Sequence, residues 1–199
     1  MKRVFDIAVA SAGLILLFPL MALAALLVKL DSNGPIFFRQ ERMGREFRPF
    51  FIYKFRTMAH DSSGKGGLVT IGNDPRITRA GRLLRKTKID ELPQLINVVK
   101  GDMTFVGPRP EVRKYVELFR QDYMEILKIR PGITDLASLK YRDEASLLGS
   151  SPNPADEYVA QILPDKIRLG KEYIRKSSFL FDLSLIFKTL LKLFDTRIL

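Results

Sequence analysis

The chain has 199 residues, with 33 Lys and Arg against 22 Asp and Glu, a formal net charge of +11 and a hydrophobic fraction of 46%. That length suits one ordinary domain with attachments, and strong charge combined with high apolarity excludes both a disordered basic tail and a multi-span membrane protein with few charges. Cysteine is absent and His60 is the single histidine, which excludes disulfide frameworks, thiolate nucleophiles, Cys- or His-based zinc sites and Ser-His-Asp triads. A nucleic-acid binder, a membrane-surface protein and an enzyme for anionic substrates remain.

Residues 7–28 form an uncharged run of 22, interrupted only by Ser11, Gly13 and Pro19. A helix of that length would just cross a hydrocarbon core, but Pro19 removes a backbone hydrogen bond mid-segment and both flanks are basic. Lys2 and Arg3 precede the run, and Lys29, Arg39, Arg42, Arg45 and Arg48 follow it. A bent, re-entrant helix with both ends in the cytoplasm satisfies the positive-inside rule and uses the proline. A straight transmembrane anchor is the competing reading. A signal peptide cleaved near Ala22-Leu23-Ala24 fits less well, because the apolar stretch continues past that site.

Asp31-Ser32-Asn33-Gly34-Pro35 is a dense turn signal ending this helix, and it divides the chain into a membrane segment at 1–34 and a cytoplasmic-face domain at 35–199. Ile36-Phe37-Phe38 and Phe50-Phe51-Ile52-Tyr53 are β-prone runs joined by a polar stretch with Gly44, which predicts a hairpin. The Ser- and Gly-rich stretch 61–74 reads as a flexible surface loop. A short helix is predicted over 78–84, with Arg76, Arg79, Arg82 and Arg85 recurring every third residue as a cationic ridge. Nine of the eleven excess charges lie within residues 36–88, a concentration that attracts phosphates or anionic headgroups.

Leu92, Leu95, Ile96 and Val99 have the spacing of an amphipathic helix, with Gly101 as its C-terminal stop. Another helix is predicted over 111–128, ended by Arg130-Pro131-Gly132, and 155–176 has helical character interrupted by Pro164. The stretch 179–199 is crowded with Leu, Ile and Phe between charged residues. It suits either a helix in the membrane interface or a last helix packed on the core. The predicted fold class is α+β and predominantly helical: the membrane helix, then a small globular head with a short β-hairpin and amphipathic interfacial helices.

The segment 89–110, IDELPQLINVVKGDMTFVGPRP, holds the chemistry. Asp90 and Glu91 adjoin the amphipathic helix, where acids are commonly only capping groups. Here six cations from Arg76 to Lys88 precede them, and Arg109 follows between two prolines. Carboxylates in a cationic setting suit phosphoryl chemistry, as nucleophile or metal ligand, with arginines neutralising phosphate oxygens. No Walker-type Gly-rich loop is present.

At these residues the chain resembles the bacterial sugar transferases, the monotopic polyprenyl-phosphate phosphoglycosyl transferases, in their minimal catalytic form. The ordered motifs are KRVFDI, QERMG at 40–44, YKFRTM at 53–58, DELPQLINVVKGDM, VGPRP, and RPGIT at 130–134. The resemblance implies a re-entrant helix and a catalytic head on the cytoplasmic face of the bacterial inner membrane. It implies transfer of a sugar 1-phosphate from a UDP-sugar to a polyprenyl (undecaprenyl) phosphate, with release of UMP and with Mg²⁺ as cofactor, as the first membrane step of polysaccharide or glycoconjugate assembly. Carried onto this chain, Asp90 is the nucleophile that forms an aspartyl-phosphosugar intermediate, and Glu91 holds the metal with it or manages a proton. Lys54, Arg56, Arg85 and Arg109 contact phosphates, Arg142 contacts nucleotide or sugar, and Pro19 marks the bend. No oligomeric state is specified.

Two places depart from the family pattern. Phe18 stands where a small residue, often Ser, commonly precedes the proline. Asp135-Leu136-Ala137-Ser138 replaces Gly-Leu-Ala-Gln, and because aspartate takes glycine's backbone angles less freely, the turn after Thr134, and with it sugar recognition, is expected to differ. The reading from another class is a membrane-tethered basic module that binds nucleic acid or anionic lipid without catalysis. Neither a nucleic-acid-binding fold signature nor aromatic-basic interleaving supports a nucleic-acid partner.

Overall fold

The computed structural model describes residues 2–59, 74–142, 144–149 and 151–194. His60, the Ser/Gly-rich stretch 61–73 and the last five residues lie outside the described residues. The first two helices, α1 (Lys2–Leu16) and α2 (Phe18–Asp31), meet at 62°. Leu17 leaves helical geometry, and Pro19 sits in the first turn of α2, where a missing N–H is tolerated. Phe18 is exposed and begins the second helix. Among the described residues no single helix is long and apolar enough to cross a membrane, whereas the bent pair meets that test together.

Both ends of this pair are fastened to the rest of the chain. At the start of α1, Lys2 Nζ donates to the Val106 carbonyl at 2.9 Å and pairs with Asp182 at 2.6 Å. Arg3 donates to the carbonyls of Val98 and Val99, and buried Asp6 accepts from Thr104 Oγ1 at 2.6 Å. At the end of α2, Arg56 donates to the carbonyls of Ser32 and Asn33, each at 2.6 Å.

The predicted hairpin is present as β1 (Phe37–Met43) and β2 (Pro49–Phe55), antiparallel with Phe37 opposite Phe55 and Met43 opposite Pro49. Next, α3 (Arg79–Thr87) is capped by Thr78 and packs against the residues after β2 through Gly81, where a Cβ would come within 2.1 Å of the Thr57 carbonyl oxygen. The helix extends one turn beyond the predicted 84, and Arg76 lies outside it, paired with Asp74. The continuous four-arginine ridge is therefore corrected to three arginines on the helix and one in the preceding turn.

A 3₁₀ turn, Ile89–Glu91, leads to α4 (Gln94–Lys100), which stops at Gly101 with φ 96° as expected. Its buried face differs from the predicted stripe: Leu95 and Val98 face the core while Val99 is exposed. The helix is oriented by Asn97, which accepts from the Tyr53 N–H and donates to the Phe51 carbonyl of β2. Two hydrogen bonds to a neighbouring strand fix a helical face more tightly than a marginal apolar count.

The strand β3 (Thr104–Val106) precedes α5 (Arg113–Leu118) and α6 (Arg120–Ile126); these break at Phe119, so the helix predicted over 111–128 is two short ones. The strand β4 (Gly132–Thr134) pairs parallel with β3 and leads into α7 (Leu136–Lys140) and α8 (Glu144–Gly149). Pro164 does not break the next helix. The helix α9 (Pro154–Glu157) runs through a π turn, Tyr158–Ile162, into α10 (Leu163–Lys176), and the wider turn accommodates the missing proline N–H.

The last helix, α11 (Phe179–Phe194), packs one side on the core, as the second of the two predicted alternatives has it, and leaves the other side open. Leu185 and Asp182 are buried, with Asp182 accepting from Tyr173 Oη at 2.7 Å, while Leu180, Phe187 and Leu191 on its other side are exposed. The described residues are thus mostly helical, with two small two-stranded sheets among them. Its largest buried cluster gathers Val116, Tyr123, Leu127, Leu148 and Leu163, and a second joins α1 to the hairpin through Ala10, Ile52, Leu95 and Val98.

Candidate active site

Asp90 and Glu91 reach their positions through an unusual backbone step. Lys88 has φ 59°, a left-handed conformation that costs a non-glycine residue about 1 kcal/mol. It ends α3 and swings the following 3₁₀ turn toward a cavity of about 1590 Å³, larger than the usual small-ligand pocket.

Lys54 comes from the end of β2, and Arg109 from the Gly107-Pro108-Arg109-Pro110 segment after β3. That segment lies directly against Gly132, where an added Cβ would be 2.1 Å from the Gly107 nitrogen. Only glycine permits such an approach, so the VGPRP and RPGIT motifs form one packed unit. Asp135 then ties Arg109 in place: its Oδ2 accepts from the Arg109 backbone N–H at 3.2 Å, and its Oδ1 caps α7 by accepting from Ser138 N–H at 2.7 Å. Its φ of −161° is extended backbone open to any residue, so the conformational penalty expected at Asp135 does not arise.

The two acids have opposite surroundings. Glu91 Oε1 accepts from Lys54 Nζ at 2.7 Å and from Arg109 Nη2 at 2.5 Å. Burial alone would raise its pKa, but the charges and hydrogen bonds of Arg109 and Lys54 outweigh burial and hold the carboxyl well below the usual range. Asp90 is buried, and its Oδ1 has no hydrogen-bond partner. Burial, and then the charge of Glu91, push its pKa up, against the pull of Lys54, Lys88 and Arg85.

The remaining predicted residues divide. Arg85 lines the cavity and donates from Nε to Thr57 Oγ1 at 2.9 Å. Arg142 also lines it, with a buried Nη1 that has no partner. Arg56 touches the cavity wall, but its terminal nitrogens are engaged by the carbonyls that end α2, so it fastens the bent helix pair. Pro19 lies beside the bend and outside the cavity lining.

Sequence reasoning missed further polar residues that line the same cavity: Arg42, Glu111, Tyr158, Glu144 and Lys166. Glu111 bridges Arg42, at 2.8 Å, and Tyr158 Oη, at 2.6 Å, while Lys166 pairs with Glu144. It also missed Gln94 and Asn97, both fully buried. Their signal was present as two amides three residues apart inside an otherwise apolar helix.

Over residues 1–196 the chain matches the family described as bacterial sugar transferase. It is 38% identical over 201 residues to the UDP-glucose:undecaprenyl-phosphate glucose-1-phosphate transferase of Escherichia coli (strain K12), an alignment covering 99% of this chain and 41% of that protein. It is 39% identical over 192 residues to the UDP-N-acetylgalactosamine-undecaprenyl-phosphate N-acetylgalactosaminephosphotransferase of Aeromonas hydrophila, covering 95% and 42%. The exopolysaccharide production protein PSS of Rhizobium leguminosarum bv. phaseoli is 39% identical over 197 residues, covering 95% and 92%. The chain therefore spans about two fifths of the first two relatives and nearly all of the third. By this match over almost its whole length, the chain belongs to the bacterial sugar transferase family.

Proposed function

We propose that the protein transfers a sugar 1-phosphate from a UDP-sugar to undecaprenyl phosphate at the cytoplasmic face of a bacterial inner membrane, with Asp90 as nucleophile. The observation that carries this reading is Asp90 Oδ1, a buried carboxylate oxygen left without a partner in a large cavity beside Lys54, Lys88 and Arg85. The names of the relatives supply the donor and acceptor chemistry.

In this mechanism Asp90 forms a bond to the sugar-linked phosphorus as the bond from that phosphorus to the UMP oxygen breaks, and UMP leaves with the electron pair. A phosphate oxygen of the lipid then attacks the same phosphorus, and the Asp90 carboxylate is released as the lipid diphosphate sugar forms. Arg85, Arg109 and Lys54 offset the charge on the phosphate oxygens. Glu91 keeps Arg109 and Lys54 aimed at the cavity.

The donor set fits Mg²⁺, an ion commonly held by one or two carboxylates together with substrate phosphates. Asp90 Oδ1 is an open oxygen ligand with Glu91 adjacent, and no group of three or more candidate ligands occurs among the described residues. When bound, Mg²⁺ neutralises diphosphate charge.

The bent pair α1–α2 is the re-entrant membrane element of this reading. Lys2, Arg3 and Asp6 fasten one end to the head and Arg56 the other, while Ile15, Leu16 and Phe18 at the bend are exposed. Both ends then enter from one face. Because the chain has no cysteine, Asn33→Cys and a cysteine on an N-terminal tag can be labelled with an impermeant reagent in inverted vesicles. Labelling at both sites is expected, and labelling of opposite faces would sink the re-entrant placement.

The chemistry is tested by incubating purified protein with Mg²⁺ and UDP-sugars and following UMP release, with mass spectrometry of the peptide containing Asp90. A phosphosugar adduct on Asp90 that disappears on adding undecaprenyl phosphate is expected. Salt-sensitive DNA binding without UMP release from any donor would favour the non-catalytic module.

A further inference from the structure

The end of β3 is held by side chains from three distant segments. Lys2 Nζ, at the start of α1, has three N–H groups and three acceptors: the Val106 carbonyl and Tyr173 Oη, each at 2.9 Å, and Asp182 Oδ2 at 2.6 Å. Tyr173 of α10 has a single hydroxyl hydrogen. Two acceptors are in its reach, Asp182 Oδ1 of α11 at 2.7 Å and the Val106 carbonyl at 2.9 Å, and the shorter, charge-assisted bond to Asp182 is the stronger. Tyr173 and Asp182 are only 1% and 6% exposed, so bulk water does not replace a lost partner.

None of these three residues belongs to the cavity lining, but the strand they hold leads into it. Val106 is followed by Gly107, Pro108 and Arg109, and Arg109 Nη2 meets Glu91 at 2.5 Å in the cavity wall. The other end of the same strand is also gripped by α1, where Asp6 Oδ2 accepts from Thr104 Oγ1 at 2.6 Å. Lys2 and Asp6 are four residues apart and share one helix face, so α1 fixes β3 at both ends. Past Val106 the chain has little freedom to absorb a displacement. Gly107 is pressed against Gly132 and donates its N–H to the Thr134 carbonyl at 3.0 Å, and Pro108 has a fixed φ. The segment therefore moves as one piece with the end of β3.

We propose that Lys2, Tyr173 and Asp182 are positioning residues for the transfer step, setting the end of β3, and through it the Arg109 guanidinium, from α1, α10 and α11; this rests on the transferase reading above. A buried ion pair gains little net stability over apolar packing of the same volume, whereas a fully bonded cluster permits one arrangement of the groups it joins. Arg109 faces phosphate oxygens whose charge is redistributed in the transition state, so a displaced guanidinium lowers kcat more than it raises KM.

The experiment places Tyr173→Phe, which removes one oxygen, and Asp182→Asn, which removes one charge at nearly constant shape, in the parent protein and in Arg109→Met. With Mg²⁺ present, single-turnover UMP release is followed against the concentration of UDP-glucose, UDP-galactose, UDP-N-acetylglucosamine and UDP-N-acetylgalactosamine, below the melting temperature of each variant. In the parent protein the rate at saturating donor is expected to fall about tenfold, with the half-saturating concentration changed less than about twofold. In Arg109→Met the same substitutions are expected to cost less than about twofold, because no guanidinium remains to be misplaced. An equal fold loss in both backgrounds would mean that the cluster acts on the fold as a whole and would overturn the proposal, as would unchanged rates in the parent protein. Tyr173→Phe keeps the Lys2–Asp182 pair and guards against misfolding of Asp182→Asn. Failure of the parent protein to release UMP from any donor would instead remove the transferase reading.

Discussion

One 3₁₀ turn carries two neighbouring acids into two different environments. The Glu91 side faces Lys54 and Arg109 and is tightly paired; the Asp90 side faces the cavity with an unpartnered oxygen. Adjacent carboxylates would each weaken the other's ionisation if both lay open, and this arrangement assigns the strongest cation contacts to one so that the other stays unbonded. Asp90→Asn is the sharpest break of that division. It keeps the shape and removes the nucleophile, so UMP release is expected to fall by about 10³-fold or more in a single-turnover assay, with no phosphosugar adduct. Turnover at the parent rate would transfer the nucleophilic role elsewhere.

Glu91→Gln attacks the paired side. It leaves Lys54 and Arg109 partly buried without their carboxylate, which should destabilise the protein by about 3 kcal/mol, read as a lower melting temperature in detergent. The sign with pH follows from its depressed pKa: the contribution of Glu91 is complete above about pH 4.3, the value for an unfolded chain, and is lost as pH falls through the depressed folded value. The same substitution bears on Asp90. Removing a like charge and releasing two cations lowers the Asp90 pKa, so the acid limb of the rate profile should move to lower pH. Lys54→Met should move it to higher pH, because a cation that favours ionised Asp90 is lost.

How much of this was legible in the sequence depended on how local the cause was. The hairpin, the Gly101 stop and the end of α2 follow from turn residues and β-prone runs a few positions apart, and they are present. The acids beside the helix were legible because a cationic run, not capping alone, surrounds them. Arg56 was a candidate phosphate ligand as a guanidinium in a basic stretch. Its actual partners, the carbonyls of Ser32 and Asn33, depend on where the bent helix pair returns to the head. Val98 rather than Val99 is buried because Asn97 bonds to β2, a tertiary contact that periodicity does not record. The polar residues lining the cavity away from Asp90 were the least legible part: Glu111, Glu144 and the Tyr158–Lys166 stretch are brought together from three separate segments.

The smallest effect separates the two acids by stability alone. Asp90 has its pKa raised by burial and by Glu91, so the folded state favours its protonated form. The sign is opposite to that of Glu91: stability is complete below the unfolded pKa, near 3.9, and declines as pH rises through the raised folded value. At neutral pH the ionised Asp90 therefore opposes folding, and an amide of the same shape relieves that opposition. Asp90→Asn should gain about 1 kcal/mol, or roughly 2–4 °C in Tm, at pH 7.5, while a parallel measurement near pH 4 should show little gain. A variant that lost activity and melted lower at pH 7.5 would mean that Asp90 is a structural partner of Lys54, Lys88 and Arg85, and the contrast between the two acids would fail.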